Sequence, residues 1–179
     1  MKKVRNYVII FFVYAVIGWL YEVLLFYFRG DGLINRGFLY GPYLPVYGFG
    51  GLLLVVLLNK ILIKKKNKIW DWIKDILLIF LLVFLISTVV EYVAHYILDT
   101  FFDIKLWDYS KQFLNINGRV CFGASRNFAI GGTFFLFILQ PFINKFLSNT
   151  KDNKLNAISL VLFLIVLIDL VITLFTKYI

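Results

Sequence analysis

The stretch ILLIFLLVFLISTVVEYVAHYIL, residues 76–98, decides the fold class of this chain. It contains one carboxylate, Glu91, and one histidine, His95, in a run that is otherwise apolar or uncharged. About 20 such residues form a helix long enough to cross the ~30 Å hydrocarbon layer of a membrane. The stretch therefore predicts a membrane-spanning helix, and an acidic group within it needs a functional or packing reason.

Similar runs extend over the rest of the chain. With 61% hydrophobic residues and 20 Phe among 179 residues, the composition is too apolar for one soluble core. The sequence predicts an all-α, polytopic membrane helical bundle with about five transmembrane helices in a single integral membrane domain, residues 1–179. The predicted spans are residues 6–28, 43–63, 70–98, 125–147 and 155–176. The first run is too long for a signal peptide and is predicted to remain as a span.

Basic residues set the predicted orientation, because Lys and Arg resist translocation in short loops. If the N-terminus is cytoplasmic, most of the 19 basic residues fall on the cytoplasmic side of the cell membrane. We therefore predict a cytoplasmic N-terminus, and five spans then place the C-terminus outside. The run Lys64–Lys68 then contacts anionic lipid or an acidic cytoplasmic partner. No nucleic-acid partner is expected, since no aromatic residues interleave with this run for base stacking.

Three acids lie within predicted spans at similar depth. A rise of 1.5 Å per residue puts Glu22 and Glu91 at ~22 Å and Asp169 at ~18 Å from the inner edge. Such groups are expected to face the bundle interior and to find partners there. On the outer side, Arg36 and Arg119 offer planar forks for carboxylate or phosphate. Two alternatives stay open: ion pairs that hold the helices together, or a pocket for an anion or lipid headgroup.

The predicted start of the fourth span adds polar groups at the same level. Ser125, Arg126 and Asn127 precede an apolar run. A Ser125 cap, free backbone N–H groups and the Arg126 guanidinium would converge at the positive end of a helix. This arrangement would favour an anion.

Helix 3 carries a polar stripe of Ser87, Glu91 and His95, which lie four residues apart and share one face. A glutamate and a histidine at this spacing can bind metal or pass a proton, but two ligands are too few for a metal site. No metal and no cofactor are therefore predicted. The alternatives are an interhelix hydrogen-bonded histidine and proton-coupled chemistry. A second stripe, on helix 1, consists of Tyr14, Gly18 and Glu22.

Two connections have unusual compositions. Residues 35–51 hold two of the three prolines and many glycines, which disfavours a regular helix. This segment is predicted either to re-enter the membrane before helix 2 and line the polar pocket, or to form a loop that turns into helix 2 at Pro45. The connection from Asp99 to Ala124 mixes aromatic and charged residues and either lies at the interface or folds back over the bundle. Cys121, the single cysteine, is predicted to be a packing residue.

Several separated motifs resemble the CmpB-like family of small multi-spanning membrane proteins, which carries an ABC-transporter type IV label. The motifs are Gly18-Trp19-Leu20-Tyr21-Glu22, Asn35-Arg36-Gly37 through Gly41-Pro42, Pro45-Val46-Tyr47-Gly48, Glu91-Tyr92, and Trp107-Asp108-Tyr109-Ser110 with Asn115 to Arg119. The resemblance covers roughly residues 10–140 and implies a transport-related role. No Walker A motif occurs, so the implied ATPase is a separate cytoplasmic chain.

The sequence thus favours a transporter or permease-like subunit with an outward-facing polar pocket. A membrane enzyme or binder acting on a phosphorylated lipid headgroup, and an accessory or scaffold subunit, remain alternatives; an enzyme is the less favoured. Expected partners are membrane lipids, further copies of the chain and the separate ATPase. The candidate pocket residues are Glu22, Arg36, Glu91, His95, Asp108, Asn117, Arg119, Ser125, Arg126 and Asn127.

Overall fold

The computed structural model of the protein describes residues 2–35, 37–62, 68–103, 105 and 107–178. Helices dominate, and each predicted span coincides with one or two of them. The helices are α1 (Lys2–Arg29), α2 (Pro45–Leu62), α3 (Ile69–Phe102), α4 (Phe122–Phe134), α5 (Gln140–Asn149) and α6 (Asp152–Tyr178), with a π-helical turn at Phe135–Leu139 between α4 and α5. Two short strands, β1 (Asn115–Ile116) and β2 (Val120–Cys121), form an antiparallel pair. The all-α membrane fold class is confirmed.

Four stretches of the described chain are long and apolar enough to cross a membrane: Lys2–Arg29, Ile69–Phe101, Phe122–Asn149 and Asp152–Thr176. The second predicted span corresponds to a shorter apolar helix, Pro45–Leu58. Within α6, the most apolar window is only 6% buried by protein. A contiguous apolar surface of this length would aggregate in water and is stable in lipid.

The chain divides into two compact units. Unit 1 comprises Met1–Leu57 and Phe142–Ile179, and unit 2 comprises Leu58–Pro141. The boundaries fall within α2 and near the start of α5. Each unit contains its own buried polar residues, so the candidate site residues are considered unit by unit.

In unit 1, α1 and α6 pack side by side and run in the same direction, as predicted for the first and fifth spans. At their beginnings, the buried Arg5 donates to the Asp152 carboxylate at 2.9 Å and to Asn156 at 3.2 Å. Further along, Ala15 of α1 forms a buried cluster with Leu39 and Tyr43, and partly buried apolar residues from α1 and α6 pack against it.

The segment before α2 returns to the middle of α1. The backbone N–H of Leu44 donates to the carbonyl of Ala15 at 2.9 Å, about halfway along the 28-residue helix. Helix α2 then begins at Pro45, where the fixed φ of proline suits the first helical position. The segment thus returns to α1 and becomes helical at Pro45, as the loop alternative predicts; re-entry into the membrane stays a prediction.

In unit 2, the connection after α3 folds back onto that helix. A hairpin organises it: Ile116 pairs with Val120, and the N–H of Arg119 donates to the Ile116 carbonyl at 3.0 Å. Asn117 and Gly118 at the turn both have positive φ, 52° and 67°. This pair of angles matches the twist of antiparallel strands, and Asn-Gly is the residue pair that adopts it most readily.

The π-helical turn between α4 and α5 ends at Leu139, two residues before Pro141. The N–H of Gln140 donates to the Phe135 carbonyl, which is an i to i−5 bond. Proline removes one helical donor and crowds the carbonyl four residues earlier, so one wider turn lets the helix continue past it.

Candidate functional site

Four predicted site residues come together in unit 2, on one face of α3 and on the hairpin that covers it. We call this group and its direct partners the α3 cluster. Its members are Glu91, Tyr92, His95, Asp99, Trp107, Tyr109, Asn117 and Arg119. The cluster combines two motifs that are distant in the sequence, Glu91-Tyr92 and Trp107 to Arg119.

Arg119 donates hydrogen bonds to two members of the cluster. Its Nη2 donates to the Asp99 carboxylate at 3.2 Å, and its Nη1 donates to the Tyr92 hydroxyl at 3.2 Å. The guanidinium also lies over the rings of Tyr92 and Tyr96, 5.4 and 4.9 Å from their centroids. The hydrogen bonds to Tyr92 and Asp99 raise the pKa of Arg119 above its ordinary value. The ion-pair alternative therefore describes Arg119, although its partner is Asp99 rather than Glu22 or Glu91.

His95 is 5% exposed and lies against the connection. Its Nε2 is 3.0 Å from the Trp107 carbonyl, and the two rings meet edge to face with centroids 5.4 Å apart. The Trp107 indole N–H in turn donates to the Arg119 carbonyl at 2.8 Å. Trp107 thus links the histidine of α3 to the hairpin.

Glu91 lies one helical turn before His95. Its Oε1 accepts a hydrogen bond from the Tyr109 hydroxyl at 3.2 Å. Burial, and then the Glu91 carboxyl, raise the pKa of Tyr109, so the phenol stays protonated and acts as the donor. Two buried atoms here have no hydrogen-bond partner among the described residues: Glu91 Oε2 and His95 Nδ1.

Asp108 and Asn117 hold the connection in shape. Asp108 Oδ1 accepts the Ser110 backbone N–H at 2.8 Å, and hydrogen bonds from the Ser110 side chain and amide lower the pKa of Asp108. Asn117 donates to the Tyr92 hydroxyl at 2.9 Å. Both residues therefore have local structural partners in the described chain.

The prediction that Ser125 caps the start of a helix and forms an anion site there is wrong. Helix α4 begins three residues earlier, at Phe122, and its N-cap is Cys121, whose Sγ accepts the Ala124 N–H at 3.4 Å. Ser125 is 1% exposed and hydrogen-bonds Thr88 Oγ1 at 2.7 Å, so it joins α3 to α4. The sequence missed this start because cysteine is not a common capping residue.

The other two residues of that predicted site stay at the surface. The exposed Arg126 donates to the side-chain oxygen of its neighbour Asn127 at 3.3 Å from Nε and 3.2 Å from Nη2. Because the helix begins at Phe122, Arg126 lies beyond the first turn and its free N–H groups.

In unit 1, Glu22 meets α2. Its Oε1 accepts the Tyr47 hydroxyl at 2.9 Å. Gly18, one turn earlier, lies directly against the same ring: a Cβ added there would be 2.2 Å from Tyr47 Cγ. Gly18 therefore lets α1 approach α2 closely. Arg36 lies outside the described residues.

Asp169 accepts hydrogen bonds from the segment before α2. Its Oδ1 accepts the Tyr40 N–H at 3.1 Å and the Thr173 hydroxyl at 3.1 Å, and its Oδ2 accepts the Gly41 N–H at 2.8 Å and the Tyr43 hydroxyl. Non-helical backbone within a membrane needs such internal partners, because lipid offers none. Asp169 thus supplies them to the segment before α2.

A family described as "Putative ABC-transporter type IV" has a model that matches residues 9–174. The chain belongs to this family. No curated protein and no solved structure gives a significant match. The family match covers both units and extends beyond the motifs that carry the resemblance.

A cavity of the described chain lies beside the α3 cluster rather than within it. The cavity is about 170 Å³, and apolar side chains dominate its walls. Its lining residues are Phe84, Thr88, Leu114, Ile116, Val120, Cys121, Phe122 and Ser125. An apolar space of this kind suits hydrocarbon and offers no charge to an anion.

The sequence did not indicate the aromatic partners of the α3 cluster. Tyr92, Trp107 and Tyr109 each make a hydrogen bond to a predicted site residue. Asn117-Gly118 was the available signal, since it marks a hairpin that would return the connection to α3. In the described parts of the chain, no group of three or more His, Cys, Asp or Glu side chains is placed to hold a metal ion.

Proposed function

We propose that this chain is a transport-associated, permease-like membrane subunit that works with a separate ATPase. The family description and the four stretches able to cross a membrane support this role. The strongest support comes from two buried atoms of α3, Glu91 Oε2 and His95 Nδ1. Neither has a hydrogen-bond partner among the described residues. Polar groups that serve only packing are normally satisfied in a membrane interior, whereas groups on a transport path must be able to exchange partners.

The proposed orientation follows from charge. The N-terminus and the Lys64–Lys68 run face the cytoplasm, the C-terminus lies outside, and the protein resides in the cell membrane. Lysines on the cytoplasmic side would contact anionic lipid and the ATPase. Further copies of the chain would complete the permease, because one copy has few spans for a full transport path.

A scaffold or accessory role is the second candidate, and one observation favours it. Both Arg119 and Asp169 are engaged by partners within their own units, as structural residues would be. The lipid-headgroup enzyme has less support, because the charge of Arg119 is already paired with Asp99.

Native mass spectrometry of the gently extracted protein, combined with an ATP hydrolysis assay, tests the transport role. We expect a chain with a Walker A motif to co-purify, and Glu91→Gln to slow ATP hydrolysis without preventing assembly. Asp31→Asn is the matched control, because it removes one exposed carboxylate outside both polar sites. A co-purifying chain without ATPase activity would support the scaffold role. Recovery of the chain alone, or equal hydrolysis in all variants, would exclude the transport role.

A further inference from the structure

The apolar cavity of unit 2 has no part in the proposed transport role. Its walls come from α3, from the hairpin and from the start of α4, and its volume is about 170 Å³. Three of the lining residues are at most 6% exposed and form an inner wall: Val120, Cys121 and Ser125. Three others are 42–64% exposed and form a mouth: Leu114, Ile116 and Phe122. The cavity therefore extends from the surface of unit 2 into its interior.

The polar groups at the cavity have partners within the protein. The Thr88 hydroxyl lies 2.7 Å from the Phe84 carbonyl oxygen and 2.7 Å from the Ser125 hydroxyl. Cys121 Sγ accepts the Ala124 backbone N–H at 3.4 Å. Water stays in an internal space when polar groups there need it, whereas a purely apolar cavity remains dry. This cavity therefore offers water little to bind.

The depth of the cavity places it in the hydrocarbon layer. Counted from Ile76, where the apolar run of α3 begins, Phe84 lies ~12 Å and Thr88 ~18 Å along the span. These depths are close to the middle of a layer that is ~30 Å thick. The mouth residues line the same cavity and are apolar, so the mobile groups that reach the mouth at this depth are the ends of lipid acyl chains.

The volume suits a short segment of such a chain. A dry apolar cavity of about 150 Å³ can bind benzene, which has six carbon atoms. A cavity of about 170 Å³ therefore accommodates a segment of similar size. An acyl chain gains no hydrophobic stabilisation by leaving the lipid, because its surroundings are already apolar. An empty cavity, however, forfeits the dispersion contacts of its lining atoms, and a chain that fills it restores them.

We propose that this cavity is a binding site for the end of a membrane-lipid acyl chain, which enters through the mouth and contacts the inner wall. None of the described lining side chains is charged, so the site takes hydrocarbon and not a phosphate group. Val120 pairs with Ile116 and directly follows Arg119, so a bound chain would support the hairpin that carries Arg119 of the α3 cluster. The site goes beyond the proposed transport role and does not depend on it.

Photocrosslinking in lipid nanodiscs tests the site in the intact chain. The nanodiscs contain phosphatidylcholine and a small share of the same lipid with a diazirine on the terminal carbon of one acyl chain. After irradiation, peptide mass spectrometry locates the adducts. We expect adducts on the inner wall as well as on the mouth. The inner wall is almost fully buried, so a chain that only surrounds the protein does not reach it.

Phosphatidylcholine with the diazirine on its headgroup is the control for depth, and it should leave the inner wall unlabelled. Adducts of the acyl-chain probe that are confined to the mouth would overturn the proposal, because the lipid would then contact only the surface. Absence of adducts from both the mouth and the inner wall would overturn it as well, and would show that protein covers the mouth.

Ile116→Trp tests whether the chain enters through the mouth. The larger side chain should obstruct the cavity, with loss of the inner-wall adducts and retention of adducts elsewhere on the lipid-facing surface. Ile130→Trp is the matched control, because Ile130 is 55% exposed, against 52% for Ile116, and does not line the cavity. Equal inner-wall labelling in the wild type and Ile116→Trp, or equal losses in both variants, would contradict the proposed entry.

Thermal unfolding in micelles establishes that the variants fold. If Ile116→Trp does not fold, Leu114→Trp obstructs the mouth at a second position. The labelling of the inner wall in the wild-type chain decides the proposal in either case. None of these readouts involves ATP hydrolysis, so the acyl-chain site and the transport role can fail separately.

Discussion

At the residue scale, the three acids of the predicted spans have different environments. Asp169 accepts four hydrogen bonds from the segment before α2 and from its own helix. Glu22 accepts the Tyr47 hydroxyl. Glu91 has one oxygen bonded to Tyr109 and one open. One sequence signal, an acid within an apolar helix, thus corresponds to a structural anchor at Asp169 and to a candidate functional group at Glu91.

Asp169→Asn tests the anchor. An asparagine has one acceptor oxygen, and its NH₂ would face either the Tyr40 N–H or the Gly41 N–H, because these two groups bind different oxygens of Asp169. Loss of hydrogen bonds to a charged group should lower the free energy of unfolding by roughly 1–3 kcal/mol. Thermal unfolding in detergent micelles, followed by tryptophan fluorescence, measures the change.

The control for this substitution is Asp31→Asn, which removes the same charge from an exposed position. It should change the unfolding temperature little. An equal decrease in the unfolding temperature of the two variants would mean that net charge, rather than the four hydrogen bonds, accounts for the effect at Asp169.

At the element scale, the packing of α1 against α2 depends on small residues. A Cβ at Gly18 would meet the Tyr47 ring, and a Cβ at Gly51 would lie 2.4 Å from Tyr14 Cδ1. Packing in lipid relies on such close contacts because no hydrophobic effect drives helices together there. The helix 1 stripe therefore has a packing role along most of its length.

Gly18→Ala should separate α1 from α2 or force Tyr47 out of its position. Overpacking of this kind costs about 1–3 kcal/mol, measured as a loss of thermal stability in micelles. Gly50→Ala is the matched control on α2, since nothing lies within 4 Å of a Cβ there and alanine favours a helix. If both substitutions had the same effect, helix propensity rather than packing would determine it.

The connection between α3 and α4 shows what local sequence patterns can predict at this scale. Its aromatic and charged composition suited both an interfacial position and folding back onto the helices. Asn117-Gly118 specifies a tight hairpin turn, but not where the hairpin packs. The choice depends on the bonds of Trp107 and Tyr109 to His95 and Glu91, which are long-range contacts.

At the scale of the whole molecule, the proposed orientation can be measured directly. Cysteine introduced at Asp31 or Lys151, in a Cys121→Ser chain, provides one reactive site on each proposed side. Serine can retain the cap at position 121. A membrane-impermeant maleimide should label Asp31→Cys in intact cells and Lys151→Cys only after permeabilisation, because Lys151 lies on the proposed cytoplasmic side. The reverse labelling pattern would show that the orientation is opposite to the proposed one.

The sequence by itself determined the membrane class, the helix positions to within a few residues and the presence of acids in the spans. These properties follow from local hydropathy and from the length that a bilayer requires. Only the tertiary structure decided which partner each polar group has: Arg119 pairs with Asp99, Asp169 binds the segment before α2, and Glu91 and His95 bind Tyr109 and Trp107. Partner choice depends on side-chain contacts between segments that are distant in sequence, and helical periodicity along one segment carries no information about them.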